Sequence, residues 1–181
     1  MGWFSPVKGS YPSLAQVDKS LPVASAAIKI ERGMIVALTS GDGSDTQKDG
    51  VWSLPTADDK LLYVALTDST DPTAAFAGTG FDPKGDGVPL ITALDLGQDA
   101  EYETTMFDGD AAAPYEVGAA LYATATGLLS TAQSGEVVGY VTRAPATRWI
   151  NNAIAVNPNE KDPRLAVRTG ATLSVLRFKT K

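Results

Sequence analysis

The groups in this chain whose types and spacing suit chemistry are few: one pair of glutamates and three aspartate- or glycine-rich loops. Glu101 and Glu103 stand two apart, the period of a strand, so they share one face while Tyr102 and Thr104 share the other. Glycoside hydrolysis needs its two carboxyls across a cleft, on separate elements. Two on one strand predict a solvated face instead. Asp45-Thr46-Gln47-Lys48-Asp49-Gly50 imitates the opening of a calcium-binding EF-hand loop, and Asp82-Pro83-Lys84-Gly85-Asp86-Gly87 does so less well. Both lack the bidentate glutamate, with Thr56 and Ala93 in its place, and neither has flanking helices, so both read as polar turns. Gly80 to Gly85 has the spacing of a phosphate loop, but Asp86 and Gly87 replace the lysine and hydroxyl residue that would meet phosphate and magnesium.

The chain has no histidine and no cysteine. That excludes Ser-His-Asp and Cys-His nucleophile pairs, imidazole bases, disulfides and the usual zinc sites. Carboxylates, lysine and tyrosine remain formally available. The expectation is a protein without enzymatic activity, cofactor or metal.

The elements that would have to position such groups are short strands. Pro114 to Pro145 reads as three of them: Val117 to Ala123, Leu128 to Thr131 and Val137 to Thr142, separated at Gly127 and Ser134-Gly135. Further strands are expected over Ala27 to Ile30, Met34 to Leu38, Val51 to Pro55, Leu61 to Thr67, Val88 to Leu94 and Ala100 to Phe107. Asp71 to Gly87 reads as a surface loop. After Pro145 the pattern loosens through Thr147 to Asn152, and a last strand from Leu173 to Lys181 has Leu176 and Phe178 on one face and Arg177, Lys179 and Lys181 on the other. Gly33 to Leu38 parallels Gly118 to Tyr122, Gly50 to Leu54 parallels Gly127 to Thr131, and Leu61 to Leu66 parallels Val137 to Thr142. That is either a duplication or the shared grammar of β-meanders.

The fold class expected is all-β, a compact antiparallel β-barrel or sandwich of short strands with an extended N-terminal arm. Residues 1–26 form the arm, because Pro6, Pro12 and Pro22 interrupt both helix and ladder. Residues 27–181 form one β-rich domain, with two related meanders (27–70 and 114–145) and an inserted hairpin region (71–113). Trp3, Phe4 and Tyr11 are large apolar groups on that arm, to be buried against their own domain or against a neighbouring subunit. The start of the chain lacks a secretion-type leader, and no apolar run approaches a membrane span, so no membrane association is expected.

Charge is divided unevenly. Residues 1–142 hold 7 Lys and Arg against 19 Asp and Glu, whereas 143–181 hold 8 against 2. Such a basic C-terminal segment either meets an acidic partner surface or pairs with its own acidic body. Arg164, Arg168, Arg177 and Lys179, with Trp3, Phe4 and Tyr11, are the candidate partner-binding residues.

The runs Pro89-Leu90-Ile91-Thr92-Ala93-Leu94, Tyr102 to Asp108, Tyr115 to Leu121, Gly127-Leu128-Leu129 and Gly135 to Val141 resemble the head decoration, or capsid cement, proteins of tailed bacteriophages. The likeness covers about residues 88–142, with an echo over 27–67. It implies a structural virion protein, made in the host cytoplasm, that binds the outside of the capsid and stabilises the shell. Its partners would be the major capsid protein and its own copies, as a homotrimer or homodimer, with no specific nucleic acid. A virion-associated carbohydrate- or ligand-binding β-module is the rival, using Trp52, Trp149 and Tyr140 as exposed aromatics.

Overall fold

Up to residue 136, glycine turns and β-branched runs cut the chain into strands of two to six residues, too short to be anything but parts of a sheet. In a computed structural model, residues 4–7, 18–25, 27–44, 47–67, 69, 90–96, 100–111, 113–155 and 167–181 are described, the backbone alone at 5–6, 18–20, 148–155 and 167–172. The strands among them are β1 (Phe4–Pro6), β2 (Asp18–Pro22), β3 (Ile35–Thr39), β4 (Val51–Ser53), β5 (Leu62–Ala65), β6 (Leu90–Asp95), β7 (Glu101–Thr104), β8 (Ala120–Ala123), β9 (Leu129–Ser130), β10 (Val137–Ala155) and β11 (Val167–Thr180). The fold is all-β, as the sequence predicts, with no helix among the described residues.

Two antiparallel sheets result. One is five-stranded, ordered β2-β6-β5-β3-β4; the other is six-stranded, ordered β1-β7-β11-β10-β8-β9. Without β1, the second order is the first order repeated by the next five strands of the chain. The registers repeat as well. Ile35 pairs with Val64 and Val36 with Tyr63, as Ala120 pairs with Tyr140 and Leu121 with Gly139. Tyr63, Val64 and Ala65 face Asp95, Leu94 and Ala93, as Gly139, Tyr140 and Val141 face Thr180, Lys179 and Phe178. Asp18 to Leu21 on Leu94 to Ile91 match Glu101 to Thr104 on Lys179 to Leu176.

The turns agree with this. Met34 N donates to Glu31 O at 3.0 Å and Ala119 N to Glu116 O at 2.9 Å, each across a glycine, Gly33 or Gly118, at φ 90° or 89°. That backbone conformation costs a side chain-bearing residue on the order of 1 kcal/mol. Isolated parallel bridges join Val23 to Trp52 and Phe107 to Leu129, at matching margins of the two units, and neither sheet closes into a barrel. Shared meander grammar accounts for strand order alone; matched register, turn and bridge identify two copies of one plan.

The cores compensate each other. At equivalent places the first unit buries Trp52 and Ala93 and the second buries Leu129 and Phe178, so bulk lost at one position is regained at the other. Trp52 is fully buried, and its indole Nε1 donates to Ile91 O at 2.9 Å. The second core extends over Ile35 and Val64 of the first unit, which joins the two.

Four expectations need correction. The region 71–113 is not an inserted hairpin: its two strands do not pair, β6 lying between β2 and β5 in the first sheet and β7 between β1 and β11 in the second. The N-terminal region contributes two edge strands rather than only an arm: β1 pairs with β7 and β2 with β6. Proline is compatible with an edge, whose outer N–H needs no ladder partner. Ala27 to Ile30 forms no strand; Ile30 is buried and held by Ser69, whose Oγ accepts from Ile30 N at 2.8 Å and whose N donates to Ile30 O at 2.8 Å. Thr147 to Asn152 lies within the continuous strand β10, where register shifts at Val141/Arg143, Arg143/Ala146 and Asn151/Ala153 reset the period that a sequence reading relies on. The loop over residues 71–87 lies outside the described residues.

Candidate functional site

β8 pairs with β10 only over Val137 to Tyr140, and β7 with β11 only over Leu176 to Lys179. Beyond those limits β10 and β11 pair with each other alone among the described residues, from Ala146↔Val175 to Ala155↔Val167. This two-stranded ribbon continues roughly 30 Å past its flanking strands at about 3.3 Å per residue. Its strands hold Arg148 and Arg168 and no acidic residue.

At the root of the ribbon three charged residues from three adjacent strands meet. Glu103 on β7 is buried, its side chain 6% exposed. Its Oε1 accepts from Arg143 Nη2 at 2.8 Å and from Arg177 Nε and Nη2 at 3.0 and 2.8 Å. The arginine side chains remain 40% and 29% exposed. Arg143 Nε is buried without a hydrogen-bond partner among the described residues. Beside the cluster, Thr142 Oγ1 donates to Glu101 Oε1 at 2.6 Å. The strand face expected to be solvated is thus partly roofed: Glu101 and Glu103 do share it, but neighbouring strands lay hydroxyl and guanidinium groups over the carboxylates.

In the first unit the positions equivalent to Glu103 and Arg177 are Ser20 and Thr92 by the matched registers, and counting along the chain past the register shift at Val141/Arg143 puts Thr67 with Arg143. Thr67 Oγ1 accepts from Thr92 N at 3.0 Å. Small hydroxyl residues satisfy the same fold there, so the charges are not a requirement of the five-strand plan.

The units also meet at a cleft of about 220 Å³. Lys60 faces Glu136 across it at 2.6 Å, and Leu62, Val138, Asp95 and Thr180 line it. These are pairs of equivalent positions, as at an interface where like surfaces meet. Hydrogen bonding to Lys60 holds the Glu136 carboxyl below its usual range and raises the Lys60 ammonium. Lys181 approaches the same glutamate at 3.8 Å.

Of the residues singled out from sequence, Trp3, Tyr11 and Arg164 lie outside the described residues, and Arg168 is placed on β11 by its backbone. Phe4 is buried in its own domain, stacked on Tyr102 with ring centroids 4.8 Å apart. Arg177 is committed to Glu103, and Lys179 is exposed on the same strand. Pairing with the chain's own acidic body therefore occupies part of the basic segment. Arg143, absent from the sequence-derived set, is the more exposed arginine of the cluster; its signal was only its place at the start of the basic segment. Trp52 is inside the first core, whereas Tyr140 is 43% exposed. Gln47 to Gly50 form a turn, with Asp45 and Thr46, like residues 82–87, outside the described residues. Among the described residues no three His, Cys, Asp or Glu gather as a metal site, and no helix is long and apolar enough to cross a membrane.

No known family model, curated protein or solved structure matches the chain.

Proposed function

We propose that this chain is a structural virion protein that decorates the outside of a tailed-phage capsid and stabilises the shell by gripping adjacent subunits. The observation behind the reading is the β10/β11 ribbon. An isolated two-stranded ribbon is marginal in water, so one extending past its sheet gains its stability from a surface it lies on. Arginines without acidic neighbours along the ribbon favour an acidic protein surface. A strongly acidic body opposes nucleic acid as the partner. The fold supplies a rigid base of two packed units behind the ribbon, which suits attachment better than turnover. The carbohydrate-binding alternative loses Trp52, whose ring is inside the core.

The test is attachment to undecorated shells of the phage that encodes the chain. A variant that joins Ala146 directly to Val175 through Asn-Gly, a turn matched to strand twist, keeps both units and removes the ribbon. Co-sedimentation of the intact protein with shells, lost in the shortened one, supports the proposal. Equal attachment by both, or attachment by neither, refutes it.

A further inference from the structure

We propose that the outer edge of β11, from Val167 to Val175, accepts an extended acidic segment of the protein on which the ribbon lies, added as a third strand. This mode of contact rests on the attachment proposed above. A free strand edge is a template for pairing, and proteins blunt the edges they do not use with short strands, proline and bulges. The strands at the margins of the two sheets follow that rule: β4 and β9 are three and two residues long, β1 carries Pro6 and β2 carries Pro22. The two edges of the ribbon differ. Each register shift places its extra residue on β10, at Thr142, within Ala144-Pro145 and at Asn152, and Pro145 removes a donor as well. β11 carries no proline and no extra residue over its whole length, and β7 pairs with it only from Leu176 onwards.

The end of β11 sets the direction of its backbone groups. Thr180 N donates to Ala100 O, on the β7 side, and Lys181 N to Val138 O, on the β10 side. The N–H and C=O of one residue point the same way and alternate along a strand. Counting back from Thr180, Ser174, Thr172, Gly170 and Arg168 therefore turn theirs to the side that β7 has left. Thr147, opposite Ser174, turns its own outwards at the β10 edge. Charge selects the occupant. The charged residues of the paired ribbon strands, Arg148 and Arg168, are both basic, and the connection over residues 156–166 adds two of each sign. In strand addition the main-chain ladder supplies affinity and the side chains supply selection, here for an acidic segment.

Binding of the full chain to undecorated shells, titrated by co-sedimentation, tests the edge when Thr172→Pro and Thr147→Pro are set beside the intact protein. Proline at either position removes an outward N–H and leaves the pairing of β10 with β11 in place. Thr172→Pro is expected to bind at least about tenfold more weakly, and Thr147→Pro like the intact protein. Should Thr172→Pro fail to fold, hydrogen exchange of the intact protein decides: attachment is expected to slow exchange over residues 168–174 and not over 147–151. Intact protein that attaches while both prolines act alike, or while exchange over 168–174 stays unchanged, overturns strand addition and leaves attachment standing. Intact protein that does not attach overturns both. A lower sedimentation coefficient for isolated Thr172→Pro than for the isolated intact chain gives the edge to a second copy, which also overturns the proposal.

Discussion

Replacing Glu103 alone should do more damage than replacing all three members of its cluster. Glu103→Ala leaves the guanidiniums of Arg143 and Arg177 side by side with no counter-ion. Breaking a buried ion pair by removing one partner costs about 3–5 kcal/mol, and the partial exposure of both arginines points to the lower end, about 3 kcal/mol. For a chain of 181 residues each kcal/mol moves Tm by about 2–4 °C, so a fall of roughly 6–12 °C is expected. The triple variant Glu103→Ser, Arg143→Thr, Arg177→Thr removes every charge together. It installs the residues that the first unit carries at Ser20, Thr67 and Thr92, where Thr67 Oγ1 accepts from Thr92 N. What remains is the packing lost with two arginine stems, about 1 kcal/mol, or roughly 2–4 °C. Thermal melts of the two variants beside the parent, followed by circular dichroism, decide the matter. A triple variant as unstable as Glu103→Ala would refute the equivalence of the two units at these positions.

Trp52→Ala should cost about 3–5 kcal/mol, because it empties the first core and strands the Ile91 carbonyl; urea unfolding showing a loss under 1 kcal/mol would contradict that packing. Gly118→Ala should cost only about 1 kcal/mol, since a Cβ there meets open space at φ +89°. Gly135→Ala should cost more, because its Cβ would lie 2.6 Å from the Ala57 carbonyl oxygen; equal melts for the two would remove the steric argument. Burial, and then the charge of Asp108, push the Tyr115 phenol from 10.0 up to about 12. A raised folded-state pKa means stability complete below about pH 10 and lost as pH climbs towards 12, a decline that Tyr115→Phe should lessen in pH-dependent melts.

Only the inner part of the repeat, β3 to β5 against β8 to the start of β10, was visible in the sequence, because those strands keep their own local signals; the outer strands of each unit, two of them inside the region read as an inserted hairpin, were not. Gly33 and Gly118 mark the same turn, and apolar positions in β3, β5, β8 and the start of β10 follow the period of two. Leu176 and Phe178 were assigned correctly to the inner face of the last strand by alternation alone. Local signals failed where the determinant was distant or irregular. Glu103 looks solvent-facing in its own strand; its burial depends on arginines 40 and 74 residues away in sequence. The ribbon escaped because its bulges break the alternation. β1 and β2 escaped because proline argues against a strand in general and not against an edge.

The differences between the two units are not scattered. β1 is added outside β7, the charged cluster spans β7, β11 and β10, and the ribbon grows from β10 and β11. In register, Ser5 of β1 lies opposite Glu103, so the added strand and the cluster flank one another. Divergence constrained only by folding would be expected on any exposed strand of either unit, since the first unit shows that small hydroxyl residues suffice at the three cluster positions. Instead an extra edge strand, an ion cluster and a two-stranded extension gather on neighbouring strands of one sheet. A buried carboxylate bound by arginines from two strands resists sliding of those strands, because slippage would leave charges unpaired. That property matters little to a free sheet. It matters where the same strands continue into a ribbon that must hold its direction, as the attachment proposed above would require.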